Sequence, residues 1–116
     1  MRLRRSGAAV LGALALALTL PAPAHAAEGD FSYTYANELT GEPARGTIAD
    51  PPSGDCVTLP EVADPGTSEP AYAPHNQTDS WATVFTGPDC DGDAWRLRPH
   101  GRPATEHLKL RSVQFD

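Results

Sequence analysis

An all-β fold is predicted for the chain beyond residue 26, and three observations predict it. Apolar and polar residues alternate with the period of a half-buried strand in several short runs. Ten Pro and eight Gly fall beyond residue 26, and each Pro removes a backbone donor that a helix would need. No apolar pattern in that stretch sustains a helix of about 10–12 residues. The expected architecture is a single small β domain over residues 27–116.

The elements follow in chain order. Phe31, Tyr33 and Tyr35 alternate with Ser32 and Thr34 as a first strand, ended by Gly41-Glu42-Pro43 and Gly46. Thr47-Ile48-Ala49 is a short strand, and Asp50-Pro51-Pro52-Ser53-Gly54-Asp55 turns the chain. Cys56-Val57-Thr58-Leu59 reads as a strand stopped by Pro60. From Glu61 to His75 there is no periodicity, and Pro65, Gly66, Pro70 and Pro74 predict one long loop. Trp81 to Phe85 alternates again, and Thr86-Gly87-Pro88-Asp89 is a turn. Ala94 to Arg98 then places Trp95 and Leu97 on one face, Arg96 and Arg98 on the other. Leu108, Leu110, Val113 and Phe115 mark a last strand whose phase slips by one residue, predicting a bulge near Arg111-Ser112.

The first 26 residues read differently. Arg2, Arg4 and Arg5 precede an apolar run from Ala8 to Leu20, and Ala24-His25-Ala26 supplies a small-x-small end. That order predicts a secretory signal peptide cut between Ala26 and Ala27, with Ala22-Pro23-Ala24 as the other site. The apolar run, about 13 residues, is shorter than the roughly 20 that span a bilayer as a helix. No Cys adjoins the cut, which argues against a lipoprotein, and no later stretch predicts stable membrane insertion. The mature chain is therefore expected to be secreted and extracellular.

Removing residues 1–26 leaves six basic residues against fifteen acids, a formal charge of −9. Residues 27–80 hold ten acids and one base, Arg45, whereas residues 81–116 hold five of each. Displacing phosphate counterions needs a basic patch, so nucleic acid is not an expected partner. Two cysteines, Cys56 and Cys90, in an oxidising compartment predict one disulfide. It would close a loop of about 35 residues, worth roughly 3–4 kcal/mol. A composition rich in Ala, Asp and Arg, with a single Lys and a single Ile, suggests a GC-rich bacterial genome.

Sites of chemistry are not apparent. His75, His100 and His107 stand in no metal-ligand spacing, and no G-x-S-x-G surrounds a serine. No catalytic residue is assigned and no enzyme is expected. Asp89, Asp91 and Asp93 are calcium candidates, with three carboxylates at alternating positions. The EF-hand pattern fails, because Gly92 comes before the third Asp and His100 stands where a closing Glu belongs. A turn with solvated acids is the preferred reading, and no cofactor is expected. Asn76-Gln77-Thr78 matches a glycosylation acceptor.

The last third resembles a known family. Phe85-x-x-x-x-Cys90-x-Gly92, the Trp95/Leu97 strand and Leu110-Arg111-Ser112-Val113-Gln114-Phe115 are similar to a Greek-key motif of beta/gamma-crystallin-like proteins. The match covers residues 81–115. In the first half Leu39-Thr40-Gly41 has the matching end, while Thr34 stands where the motif has an aromatic. The resemblance implies a Greek-key β-sandwich, and small secreted bacterial members include metalloproteinase inhibitors and killer-toxin-like proteins. Family calcium loops, aligned on Ser112, would take ligands from His107, Leu108 and Arg111, which are poor donors. Aligned on Ser80, they would take His75, Asn76 and Asp79, a partial set.

The functional expectation is a small secreted, non-enzymatic binding module for an extracellular protein, with protease inhibition as the specific form. Its binding loop would be residues 61–75, with Asp64, Glu69, Tyr72 and His75 as contact residues. A loop restricted by proline costs less entropy to order on a partner. The alternative is a toxin-like antimicrobial protein that acts on competing cells.

Overall fold

The computed structural model describes residues 26–116, so the predicted signal peptide, all but its last residue, lies outside the described residues. Eight strands follow: β1 (Gly29–Ala36), β2 (Pro43–Ala49), β3 (Cys56–Thr58), β4 (Ala71–Thr78), β5 (Ala82–Phe85), β6 (Ala94–Leu97), β7 (Lys109–Leu110) and β8 (Ser112–Phe115). Two short 3-10 turns, Pro60–Val62 and Pro88–Cys90, are the helical elements among the described residues. None is long and apolar enough to cross a membrane. The all-β expectation holds.

The strands form two four-stranded sheets in the orders β2-β1-β4-β7 and β3-β8-β5-β6. Every neighbouring pair is antiparallel. The chain thus falls into two halves with one plan. Strands one, two and four of each half share a sheet, and the third strand crosses to the edge of the other sheet. Neither sheet is complete without a strand from the other half, so the halves are tied by hydrogen bonds as well as by packing.

Alternation places the core. Phe31 and Tyr33 of β1 face Val84 of β5 and Val113 and Phe115 of β8, with Leu59, Val62 and Leu110 closing the ends. The Phe31 ring meets Phe115 edge-on, with centroids 5.4 Å apart and planes at 85°. Full burial of each such side chain contributes roughly 1.5–3 kcal/mol. Tyr33 is buried against Gly46 of β2, where any Cβ would overlap its ring. Cys56 at the start of β3 is bonded to Cys90 in the second 3-10 turn, as the even cysteine count predicts.

Several expectations need correction. The stretch 61–75 is not one loop, because Ala71–Thr78 is β4, paired on both sides. Pro74 hid it, since a proline cannot donate to a ladder and is expected only at edges and bulges. Here a bulge absorbs it: the register shifts between Ser32 and Thr34, and Ala73 takes a φ of 51°. β2 begins at Pro43, earlier than Thr47, since an edge strand tolerates a leading proline. The predicted slip at Arg111-Ser112 is real and larger than a bulge. At Arg111 the chain leaves one sheet (β7) and enters the other (β8). Trp95 and Leu97 do share a face, yet Trp95 is 62% exposed because β6 is an edge strand with nothing beyond it.

Candidate functional site

The connection from β3 to β4 is a non-repetitive segment held by several hydrogen bonds. Leu59 is buried, and Pro60 starts a 3-10 turn that buries Val62. Asp64 then organises the crest. Its Oδ1 accepts from the Gly66 amide at 2.8 Å, and its carbonyl accepts from the Ser68 hydroxyl at 2.7 Å. The Thr67 and Ser68 amides also donate to that carbonyl, at 3.2 and 3.1 Å. Residues 63–67 and Glu69 remain exposed on this frame.

Arg111 holds the frame from beneath. It is 8% exposed and sits where the chain passes between the sheets. Nη1 donates to the Val62 carbonyl at 2.9 Å and to the Ser68 hydroxyl at 3.1 Å, and Nη2 donates to the Ser68 carbonyl at 2.8 Å. Its own backbone is fixed too: its amide donates to the Phe85 carbonyl at 2.8 Å, and its carbonyl accepts from Leu59 at 2.9 Å. Burying a guanidinium costs several kcal/mol. Hydrogen bonds to a charged group return about 1.5–3 kcal/mol each, so the loop carbonyls are what make this burial tolerable.

Beside the loop, the Tyr33 hydroxyl donates to Glu61 Oε1 at 2.7 Å. Burial, reinforced by that hydrogen bond and by the nearby Glu61 charge, pushes the phenol well above its ordinary value. Tyr33 therefore stays protonated and pins the start of the loop to β1.

The expected contact residues separate into two groups. Asp64 lies in the loop, but its carboxylate is spent on the turn, whereas Glu69 is exposed beside it. Tyr72 and His75 belong to β4, not to the loop. Lys109 Nζ stands 4.9 Å from the Tyr72 ring centroid, and His75 Nε2 lies 3.0 Å from the Gly101 carbonyl. The loop site is thus smaller than the sequence suggested, and Arg111, which makes it rigid, stood in the sequence only at the expected bulge and in the family motif.

Comparisons with known protein families, with curated proteins and with solved structures return no match.

The calcium candidates are dispersed. Asp89 Oδ1 accepts from the Thr58 hydroxyl at 3.3 Å, while the Asp91 and Asp93 carbonyls close backbone bonds with Gly87 and Thr86. No three His, Cys, Asp or Glu side chains among the described residues converge as metal ligands. Asn76, in the alternative family loop, is 1% exposed, and its amide donates to the Ser80, Leu97 and Arg98 carbonyls at 2.8, 3.2 and 3.1 Å. Its Oδ1 accepts from Thr78. Asn76 is a structural bracket with no surface to offer a glycan or an ion.

Proposed function

We propose that this chain is an exported, non-enzymatic binding module of beta/gamma-crystallin-like type, which presents residues 63–69 to an extracellular protein, with secreted proteases as the target class. The observation that carries this reading is the buried Arg111 guanidinium bonded three times to the underside of an exposed loop. A loop already fixed before encounter loses little conformational freedom when a partner closes on it, and affinity rises accordingly.

The family reading has independent support in the second half. Gly92 takes a φ of +86°, and a Cβ there would overlap Thr86 Oγ1, which explains why the folded hairpin has glycine at this position. The Ser112 hydroxyl accepts from the Cys90 amide at 2.8 Å and donates to the Gly87 carbonyl at 2.6 Å. The Ser-Val end of the motif and its hairpin therefore lock onto each other. Export is supported by the disulfide, which persists in oxidising compartments.

The test is a panel of secreted proteases titrated with the purified mature protein. Stoichiometric inhibition of at least one enzyme is expected, with a tenfold or greater loss in Glu69→Lys, an exposed change that leaves the fold intact. Arg111→Met should weaken inhibition and speed amide exchange at Thr67 and Ser68. Inhibition indifferent to both substitutions would move the site elsewhere, and no inhibition across the panel would sink the protease reading.

A further inference from the structure

β6 is an edge strand of the second sheet. β6 pairs only with β5, and no backbone bond from residues 98–108 reaches Ala94, Trp95 or Arg96. A bare edge offers its amides and carbonyls to any extended chain of suitable side-chain pattern.

The two sides of this edge are lined by different side chains, arginines on one and a tryptophan with leucines on the other. On one side Arg96, Arg98 and Arg102, with Asn76, Leu97 and Gly101, line a hollow of about 320 Å³. On the other, Trp95, Leu97, Ala104, Thr105, His107 and Leu108 line one of about 350 Å³ that is mainly apolar. Leu97 belongs to both, so the hollows adjoin across the strand. We propose that the β6 edge docks an extended segment of a partner polypeptide in which acidic and apolar residues alternate.

Charge complementarity selects the acidic half of that pattern. Arg96 bonds Asp116 at 2.7 Å and lies 5.0 Å from the Trp81 ring centroid. Arg98 and Arg102 form no ion pair among the described residues. In a chain with ten acids against one base before residue 81, this hollow gathers three of the five later bases. Guanidinium forks match carboxylates in geometry as well as in charge. The strand period selects the apolar half: successive side chains of an added strand point to opposite faces. One row therefore meets the arginines and the next meets Trp95 and Leu97.

The edge is preformed. Asn76 holds the Leu97 and Arg98 carbonyls. The His100, Gly101 and Ala104 amides donate to the Thr78, Asn76 and Pro74 carbonyls of β4 at 3.0, 3.1 and 2.9 Å. Gly101 also leaves room for the Arg98 stem, since a Cβ there would lie 2.9 Å from Arg98 Cγ. An anionic glycan would use the arginines and the tryptophans but not the backbone edge, which is why a polypeptide is favoured.

The test uses a blocked peptide of three Glu-Val repeats, titrated into the mature protein at low ionic strength. The chain's two tryptophans, Trp81 and Trp95, are 41% and 62% exposed at this edge and report binding by fluorescence. Saturable binding is expected, with a tenfold or greater loss in Arg98→Gln/Arg102→Gln and a similar loss when alternate peptide amides are N-methylated. A Lys-Val peptide should not bind. Absence of saturable binding overturns the proposal, as does equal binding of the N-methylated peptide, which would reduce it to ionic attraction. Tighter binding of a sulfated oligosaccharide than of the peptide would also overturn it, by assigning the edge to a glycan. Sedimentation of the protein alone should show a monomer. A dimer abolished by Arg98→Gln/Arg102→Gln would give the edge to a second copy of the chain and overturn the proposal likewise.

Discussion

The two halves of the molecule share a strand plan but reach stability by different means. In the first half β1 and β2 pair over seven positions and β1 and β4 over five, with Phe31 and Tyr33 as the buried row. In the second half β5 pairs with β6 and with β8 over only four positions each. What the short ladders lack is supplied by a few fastenings: the Cys56–Cys90 bond from β3, the Ser112 hydroxyl, and Gly92 folded over Thr86. A long ladder spreads its stability over many weak bonds, whereas a short one concentrates it in a few residues. Single substitutions should therefore be felt unequally in the two halves.

The largest effect is expected where the halves meet. Phe31→Ala removes the ring that stands on Phe115 and should cost about 3–5 kcal/mol. Amide exchange should lose protection in both sheets together. Loss confined to β1, β2 and β4 would show that the halves unfold separately.

Next comes the disulfide. Cys56→Ser/Cys90→Ser should lower stability by about 3–4 kcal/mol, read from denaturant unfolding. Exchange in β3, β5 and β8 should rise before that in β1. A variant as stable as the parent would show that the short ladders suffice without their bond.

Two glycine substitutions compare the hairpins directly. Gly92→Ala faces both a φ of +86° and the Thr86 hydroxyl, and should cost about 2–3 kcal/mol. Gly41→Ala at the first hairpin has a φ of +71° with open space around it, and should cost about 1 kcal/mol. Equal melting temperatures for the two variants would contradict the view that only the second hairpin is tightly folded.

The smallest effect belongs to Tyr33. Tyr33→Phe removes the bond to Glu61 and should cost about 1 kcal/mol at neutral pH. Because the folded phenol titrates above its unfolded value, its contribution is complete below the ordinary value of 10.0. It is lost as pH rises from there towards the folded value. Unfolding free energy of the parent should fall more steeply above pH 10 than that of Tyr33→Phe. Parallel curves would remove Tyr33 from the group of buried phenols.

Strand content, the bond between the two cysteines and the break near Arg111 were legible in the sequence, because each depends on residues close in the chain or on a count. Phe31-x-Tyr33 alternates whatever lies beside it, and two cysteines in an oxidising setting have one pairing available. The position of β4 was not legible: Pro74 looks like a strand breaker until neighbours on both sides accept a bulge. Nor was the candidate site. Asp64 and Glu69 lie in the loop, but Tyr72 and His75 were carried away with β4, and Arg111 emerged as the residue that fixes the crest.

The sequence by itself determined that this chain forms strands, where many of them turn, and that one covalent bond ties the middle of the chain to its last third. Only the tertiary structure decided that β3 and β7 exchange sheets, that Arg111 is buried under a loop, and that Trp95 faces outward beside an arginine hollow. The physical reason is range. Alternation and turn chemistry act over a few residues, whereas the choice of strand partner, and with it burial or exposure of a given side chain, is settled by pairings tens of residues apart.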